Sequence, residues 1–139
     1  MASLTMSSPF QDVLEFHKKF NLDIGNIDRP VSLKTITLRE NLLYEEYDET
    51  VESIEDFRWN TRRDFLEGLR AATAKELCDL IYVAIGTAIE LGIDLEPVWE
   101  VVHESNMAKE AGNTNEAGKL LKPEGWQYPD VKKVLRQVA

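Results

Sequence analysis

The sequence predicts an all-α protein whose protomer resembles a four-helix bundle. Three observations lead there. Apolar residues recur at three- and four-residue spacing along much of the 139 residues, and the breakers Gly25, Pro30, Gly92, Gly112 and Pro129 fall between those stretches. No two segments alternate in a way that would pair as strands. We expect a single domain over residues 1–139, with residues 1–8 as a flexible N-terminus.

The first helix is expected over residues 10–20, where Phe10, Val13, Leu14, Phe16 and Phe20 share a face and Ser8 can cap ahead of Pro9. Residues 21–30, NLDIGNIDRP, are loop chemistry. Ser32 or Thr37 can cap a long second helix reaching about Asp56. Residues 57–69 fit either a loop or a short helix. The third helix is expected over residues 71–91, ending at Gly92 as a C-terminal cap. Its middle, LCDLIYVAIGTAIEL, is apolar nearly all round, which implies burial inside a bundle or at a subunit interface and hence a homodimer or homotetramer. Asp94 can cap a fourth helix over residues 95–109, with Gly112 closing it. A tail over residues 112–139 ends in a short helix after Pro129.

With 16 Lys or Arg against 25 Asp or Glu, the net charge is −9, which argues against a nucleic-acid partner. A lone cysteine, Cys78, excludes an internal disulfide and points to a reducing compartment, the cytoplasm. No apolar run is long enough for a membrane span. The acids, however, are concentrated. Residues 40–56 carry Glu40, Glu45, Glu46, Asp48, Glu49, Glu52, Glu55 and Asp56 with no Lys or Arg among them.

On a helix, Glu45, Glu46 and Glu49 fall on the side of Leu38 and Leu42, while Leu43, Tyr47 and Ile54 point the other way. On the third helix Glu76 and Asp79 line up with Leu80 and Val83. Two helices thus bring acids towards a common interior. Buried carboxylates need a cation, and no base stands four residues on from Glu45, Glu46 or Glu49. An all-carboxylate set selects hard cations, Mg²⁺ or Mn²⁺, over zinc. A solvated acidic face is the plainer alternative. A di-iron bundle would need two Glu-x-x-His motifs, and only Glu100 with His103 forms one.

The pattern Glu46-x-x-Glu49, then Glu76-x-x-Asp79, resembles the ExxE…ExxD signature of the MazG-like all-α nucleoside triphosphate pyrophosphatases. The flanking blocks LRENLLYEEYDE, KELCDLIYVAIG, GIDLEPVWEVVHESNMAK and GKLLKPEGW resemble its dimeric dUTPase-like branch. The resemblance implies cleavage of a nucleoside triphosphate between the α- and β-phosphates, to monophosphate and pyrophosphate, for control of nucleotide pools. It implies metal ligation by Glu45, Glu46, Glu49, Glu76 and Asp79, with two or more Mg²⁺ or Mn²⁺ ions per site. Divalent ions would let a polyanion approach these acids and would lower the pKa of a bound water. Glu46 or Glu45 is the candidate to orient or deprotonate that water.

Asn106 and Lys109, three apart on the fourth helix, match the family's nucleotide contacts. Lys119 and Lys122 lie in a segment, residues 111–139, with five bases against three acids, suited to close over pyrophosphate. For the base, His17, Phe16 and Phe20 on the first helix and Trp126 or Tyr128 in the tail are candidates, although Phe16 and Phe20 fit a core role better. Tyr44, directly before the acid pair, departs from the family pattern. The resemblance implies dUTP or dGTP as the leading substrates, and one unpaired donor in a base pocket is enough to switch preference between them. The rivals are a non-catalytic helical module for nucleotide binding or oligomerisation, and phosphoribosyl-ATP hydrolysis. The SNMAK and KPEGW segments favour the dUTPase-like branch over the latter.

Overall fold

A computed structural model describes residues 6–60 and 62–138. Residues 1–5, most of the N-terminus expected to be flexible, lie outside the described residues. The described residues form five helices, α1 (Pro9–Lys19), α2 (Leu33–Trp59), α3 (Arg63–Glu90), α4 (Leu95–Met107) and α5 (Val131–Val138). The all-α class expected from periodicity is therefore met, and the β-type pairing among these residues is one isolated bridge between Thr114 and Leu120. No described helix is long and apolar enough to cross a membrane. The chain divides into two compact units, the first ending at Ile93 and the second beginning at Asp94.

In the first unit, α1 starts with a capping box. The Ser8 hydroxyl accepts from Gln11 N, the Gln11 carboxamide accepts from Ser8 N, and Pro9 fills the first turn. Ser32, not Thr37, caps α2, its hydroxyl accepting from Thr35 N at 3.1 Å. Within the ambiguous stretch 57–69, residues 57–59 belong to α2 and residues 63–69 to α3. Phe57 near the end of α2 and Leu66 and Leu69 in the first turns of α3 are half-buried, so tertiary packing decides what local sequence leaves open.

The two long helices form an antiparallel hairpin whose register is fixed by polar contacts. Ser53 and Thr73 hydroxyls meet at 2.7 Å, Thr50 Oγ1 donates to Glu46 O and Glu76 O, and Arg39 reaches Val83 and Thr87. This register brings Glu46 and Glu49 on α2 opposite Glu76 and Asp79 on α3. It is the step that turns two distant acid pairs in sequence into one site.

α1 packs on α3 around Val13, Ile85 and Ala88, all buried, together with an ionic network. Arg39 Nη1 donates to Glu90 Oε2 at 2.6 Å, Nε to Thr87 Oγ1 at 3.1 Å and Nη2 to Val83 O at 2.9 Å. His17 sets Nε2 at 3.1 Å from the same Glu90 oxygen and Nδ1 at 3.0 Å from Val13 O. The network ties α1, α2 and α3 together at one end of the hairpin. Gly86 makes room for it, since a Cβ there would lie 2.7 Å from Arg39 Nη2 and 3.0 Å from His17 Cε1. Beyond α3, Gly92 has φ +78°, and a Cβ on it would meet the Asn26 carbonyl at 2.4 to 2.5 Å. Glycine is required here both by its left-handed conformation and by this backbone approach. Phe16 and Phe20 depart from the expected core role. Their rings meet tilted at 4.8 Å and Phe16 meets Tyr82 edge-on, yet they are 38% and 54% exposed.

In the second unit, Asp94 precedes α4 without a side-chain capping bond, contrary to expectation. The helix also ends earlier than predicted, at Met107. Ala108 N and Lys109 N turn back to Ser105 O and Asn106 O, a tight final turn that puts Lys109 beyond the helix instead of on the Asn106 face. The tail segment is then pinned to α4. Trp126 Nε1 donates to Ser105 O at 2.6 Å, and Ser105 Oγ donates to Gln127 O at 3.1 Å. α5 also packs on α4.

Candidate metal and polyphosphate site

Three of the five expected carboxylates converge. One oxygen from each of Glu46, Glu49 and Glu76 lies within 4.8 Å of the other two. Glu46 and Glu76 are partly buried, and their Oε2 atoms are shielded from solvent and accept no hydrogen bond among the described residues. Buried carboxylate oxygens ordinarily have a donor. Two orphan acceptors within a cluster of like charge fit a divalent cation, and oxygen donors alone fit a hard one.

The electrostatics agree. Desolvation, then the charges of Asp79, Glu45 and Glu76, hold the Glu46 carboxyl above its ordinary value of 4.5, with Lys75 opposing. Glu49 is raised too, by desolvation first, then by Glu46 and Glu76, and by its hydrogen bond to Glu76. Asp79 stands at the margin, paired with Lys75 Nζ at 2.7 Å, a bond that raises the Lys75 pKa. Glu45 is exposed and outside the converging three, but close enough to be felt by both Glu46 and Glu49. Glu100 and His103 do not join a converging ligand set among the described residues.

A cleft of about 580 Å³ lies in the same unit, lined among others by Phe16, His17, Leu38, Arg39, Leu42 and Tyr82. Leu38 and Leu42 are the apolar start of the stripe that continues into Glu46 and Glu49. His17 borders this cleft, but it is 2% exposed and both of its nitrogens face protein acceptors, so it serves the Arg39–Glu90 network and offers no free surface for the substrate contact expected of it. Tyr44 is exposed.

The tail residues assemble separately, within the second unit. Lys109 and Lys122 each hold their ammonium 5.4 Å from the Trp126 ring centroid. Asn106 is exposed, and Lys119 is exposed with its backbone bonded to Asn115. Sequence reasoning missed two features. One is the Arg39–Glu90 pair, although Glu90 is the lone charge among residues 80–93, a signal that it must find a cation. The other is Lys122 bonded to Tyr128, for which the sequence gives no spacing rule.

The profile of the phosphoribosyl-ATP pyrophosphohydrolase family matches residues 13–106. That span includes both acid pairs and the hairpin that joins them, and ends before Lys109 and the tail. No curated protein matches the chain. The fold and the carboxylate cluster now agree with the matched profile: the chain belongs to the phosphoribosyl-ATP pyrophosphohydrolase family, and is a pyrophosphohydrolase of the MazG-like all-α nucleoside triphosphate pyrophosphatase superfamily.

Proposed function

We propose that the chain is a metal-dependent nucleoside triphosphate diphosphohydrolase of the dimeric dUTPase-like branch, releasing monophosphate and pyrophosphate from dUTP or dGTP. The observation that carries this reading is the pair of orphan oxygens, Glu46 Oε2 and Glu76 Oε2, inside a converging carboxylate set. Glu46, Glu49 and Glu76 would hold Mg²⁺ or Mn²⁺, with Asp79 and Glu45 as the further proposed ligands. Bound there, the ions would supply polarisation of phosphoryl oxygens and acidification of a water. Glu46 or Glu45 would orient or deprotonate the attacking water.

In the second unit, Asn106, Lys109, Lys119 and Lys122 are the proposed phosphate contacts and Trp126 the proposed base contact. Apolar surface supports a homodimer or homotetramer. Tyr47, Val51 and Ile54 on α2 and Leu77 and Ile81 on α3 are exposed at helical spacing, more than single surface residues explain. The family match favours a second reading, with phosphoribosyl-ATP as the substrate. Its profile ends at residue 106, however, so the tail that would contact the triphosphate lies outside what the two have in common.

The test is a panel of dUTP, dGTP, the other common nucleotides and phosphoribosyl-ATP with Mg²⁺ or Mn²⁺, following monophosphate and pyrophosphate release. Turnover of a deoxynucleotide in preference to phosphoribosyl-ATP is expected. Preference for phosphoribosyl-ATP would overturn the branch assignment, and pyrophosphate release from no compound would overturn the catalytic reading.

A further inference from the structure

Tyr128 carries a chemistry that the reading above does not use. Its side chain is 71% exposed, and its hydroxyl oxygen accepts from Lys122 Nζ at 2.7 Å. Accepting from an ammonium leaves the phenol's own proton to point elsewhere, and polarises it for donation. The same lysine lies 4.4 Å from the Tyr128 centroid, while Tyr128 and Trp126 meet edge-on at 4.8 Å. Trp126 is in turn fixed to Ser105 through its indole N–H. Lys109, Lys122 and the Tyr128 phenol thus gather around the Trp126 indole. Among the described residues, neither Lys109 nor Lys122 forms an ion pair with a carboxylate.

Two ammonium groups beside one indole, with no carboxylate within ion-pairing distance among the described residues, suit an anion. The neighbouring cleft of about 590 Å³ is not its place. Trp126 and Tyr128 line that cleft, but so do Glu104, Glu110, Glu124 and Asp130, and neither lysine does. The ring pair therefore lines an acidic cleft, while Lys109 and Lys122 lie beside the indole outside that lining, and Tyr128 Oη is joined to Lys122. Three donors from three side chains suit a tetrahedral phosphoryl group, which has oxygens in several directions, better than a planar carboxylate.

The geometry points to Tyr128 as a phosphate-oxygen donor that, with Lys109 and Lys122, makes a pyrophosphate-holding site on the tail unit itself. This deepens the proposed function and rests on it only for the origin of the ligand, the leaving diphosphate of the nucleotide. The Tyr128 hydroxyl is lowered in pKa, first by the Lys122 hydrogen bond and then by its charge, with a further contribution from Lys109, which places all three groups in one field. The role is one of positioning.

The experiment titrates inorganic pyrophosphate, without divalent metal, into the full chain, and follows the Trp126 indole N–H by NMR. Wild type and Glu76→Gln should show the same saturable shift, because the tail site does not involve the carboxylate cluster. Tyr128→Phe keeps the ring and its contact with Trp126, and should raise the dissociation constant about tenfold with an unchanged melting temperature. No shift in wild type, equal affinity in Tyr128→Phe, or loss of the shift in Glu76→Gln would each overturn the site. Pyrophosphate binding of the expected kind in a protein that hydrolyses no nucleotide would uphold the tail site and remove the functional reading above it.

Discussion

Two charged clusters sit on the same helical hairpin, about two turns apart on α2, and they are built on opposite principles. In the Arg39–Glu90–His17 network every side chain is engaged. Arg39 uses all three of its nitrogens, and Glu90 Oε2 takes both Arg39 and His17. In the Glu46–Glu49–Glu76 cluster the charges are alike and two buried oxygens have no donor. Buried charge that is fully paired within the chain fixes a fold. Buried charge left unpaired leaves room for something the chain itself does not supply, and is where function is sought first.

That contrast predicts a double dissociation. Glu49→Gln should lower nucleotide turnover by at least about 100-fold while leaving the denaturation midpoint unchanged or raised, because it removes a like charge from the cluster. Glu90→Gln should do the reverse. It strands a buried guanidinium, and breaking a buried pair costs about 3 kcal/mol, measurable in urea unfolding. Equal loss of stability from both substitutions would show that the two clusters do not differ in kind. Gly86→Ala sharpens the point with a smaller effect. Alanine adds about 1 kcal/mol of helix propensity, but its Cβ would push on an Arg39 side chain held by three partners. A net loss of about 1 kcal/mol is expected, and a more stable variant would mean that the network yields easily.

The same contrast explains what the sequence could reveal. The acid pairs are legible because helical period places Glu46 with Glu49 and Glu76 with Asp79 on single faces, which is local geometry. The hairpin register that brings the pairs together depends on Ser53 meeting Thr73 and Arg39 meeting Thr87, contacts across 20 and 48 residues. Nothing local specifies them. Helix ends fail for a related reason. Phe57, Leu66 and Leu69 extend α2 and α3 through packing between the two helices, while the tight turn at Ala108 shortens α4 and carries Lys109 off the helix face. The tail platform of Lys122, Trp126 and Tyr128 is built by a folded-back loop, for which sequence periodicity has no template.

The finest test of the comparison is pH. Glu46 and Glu49 are both raised above 4.5 in the metal-free fold, so at pH values between 4.5 and their folded values the native state binds protons that the unfolded chain does not. Stability of the metal-free protein should therefore rise slightly as pH falls from neutral through that window, and decline as pH rises through the folded values. A double Glu46→Gln, Glu49→Gln variant removes this component and should flatten the slope. Mg²⁺ should reverse its sign in the wild type. Cation binding favours the ionised carboxylates, so the folded values fall below 4.5, and acidification then costs stability by displacing the ion. Melting curves across pH 4.5 to 7.5, with and without Mg²⁺, measure both slopes, and parallel slopes would rule out a cation held by Glu46 and Glu49.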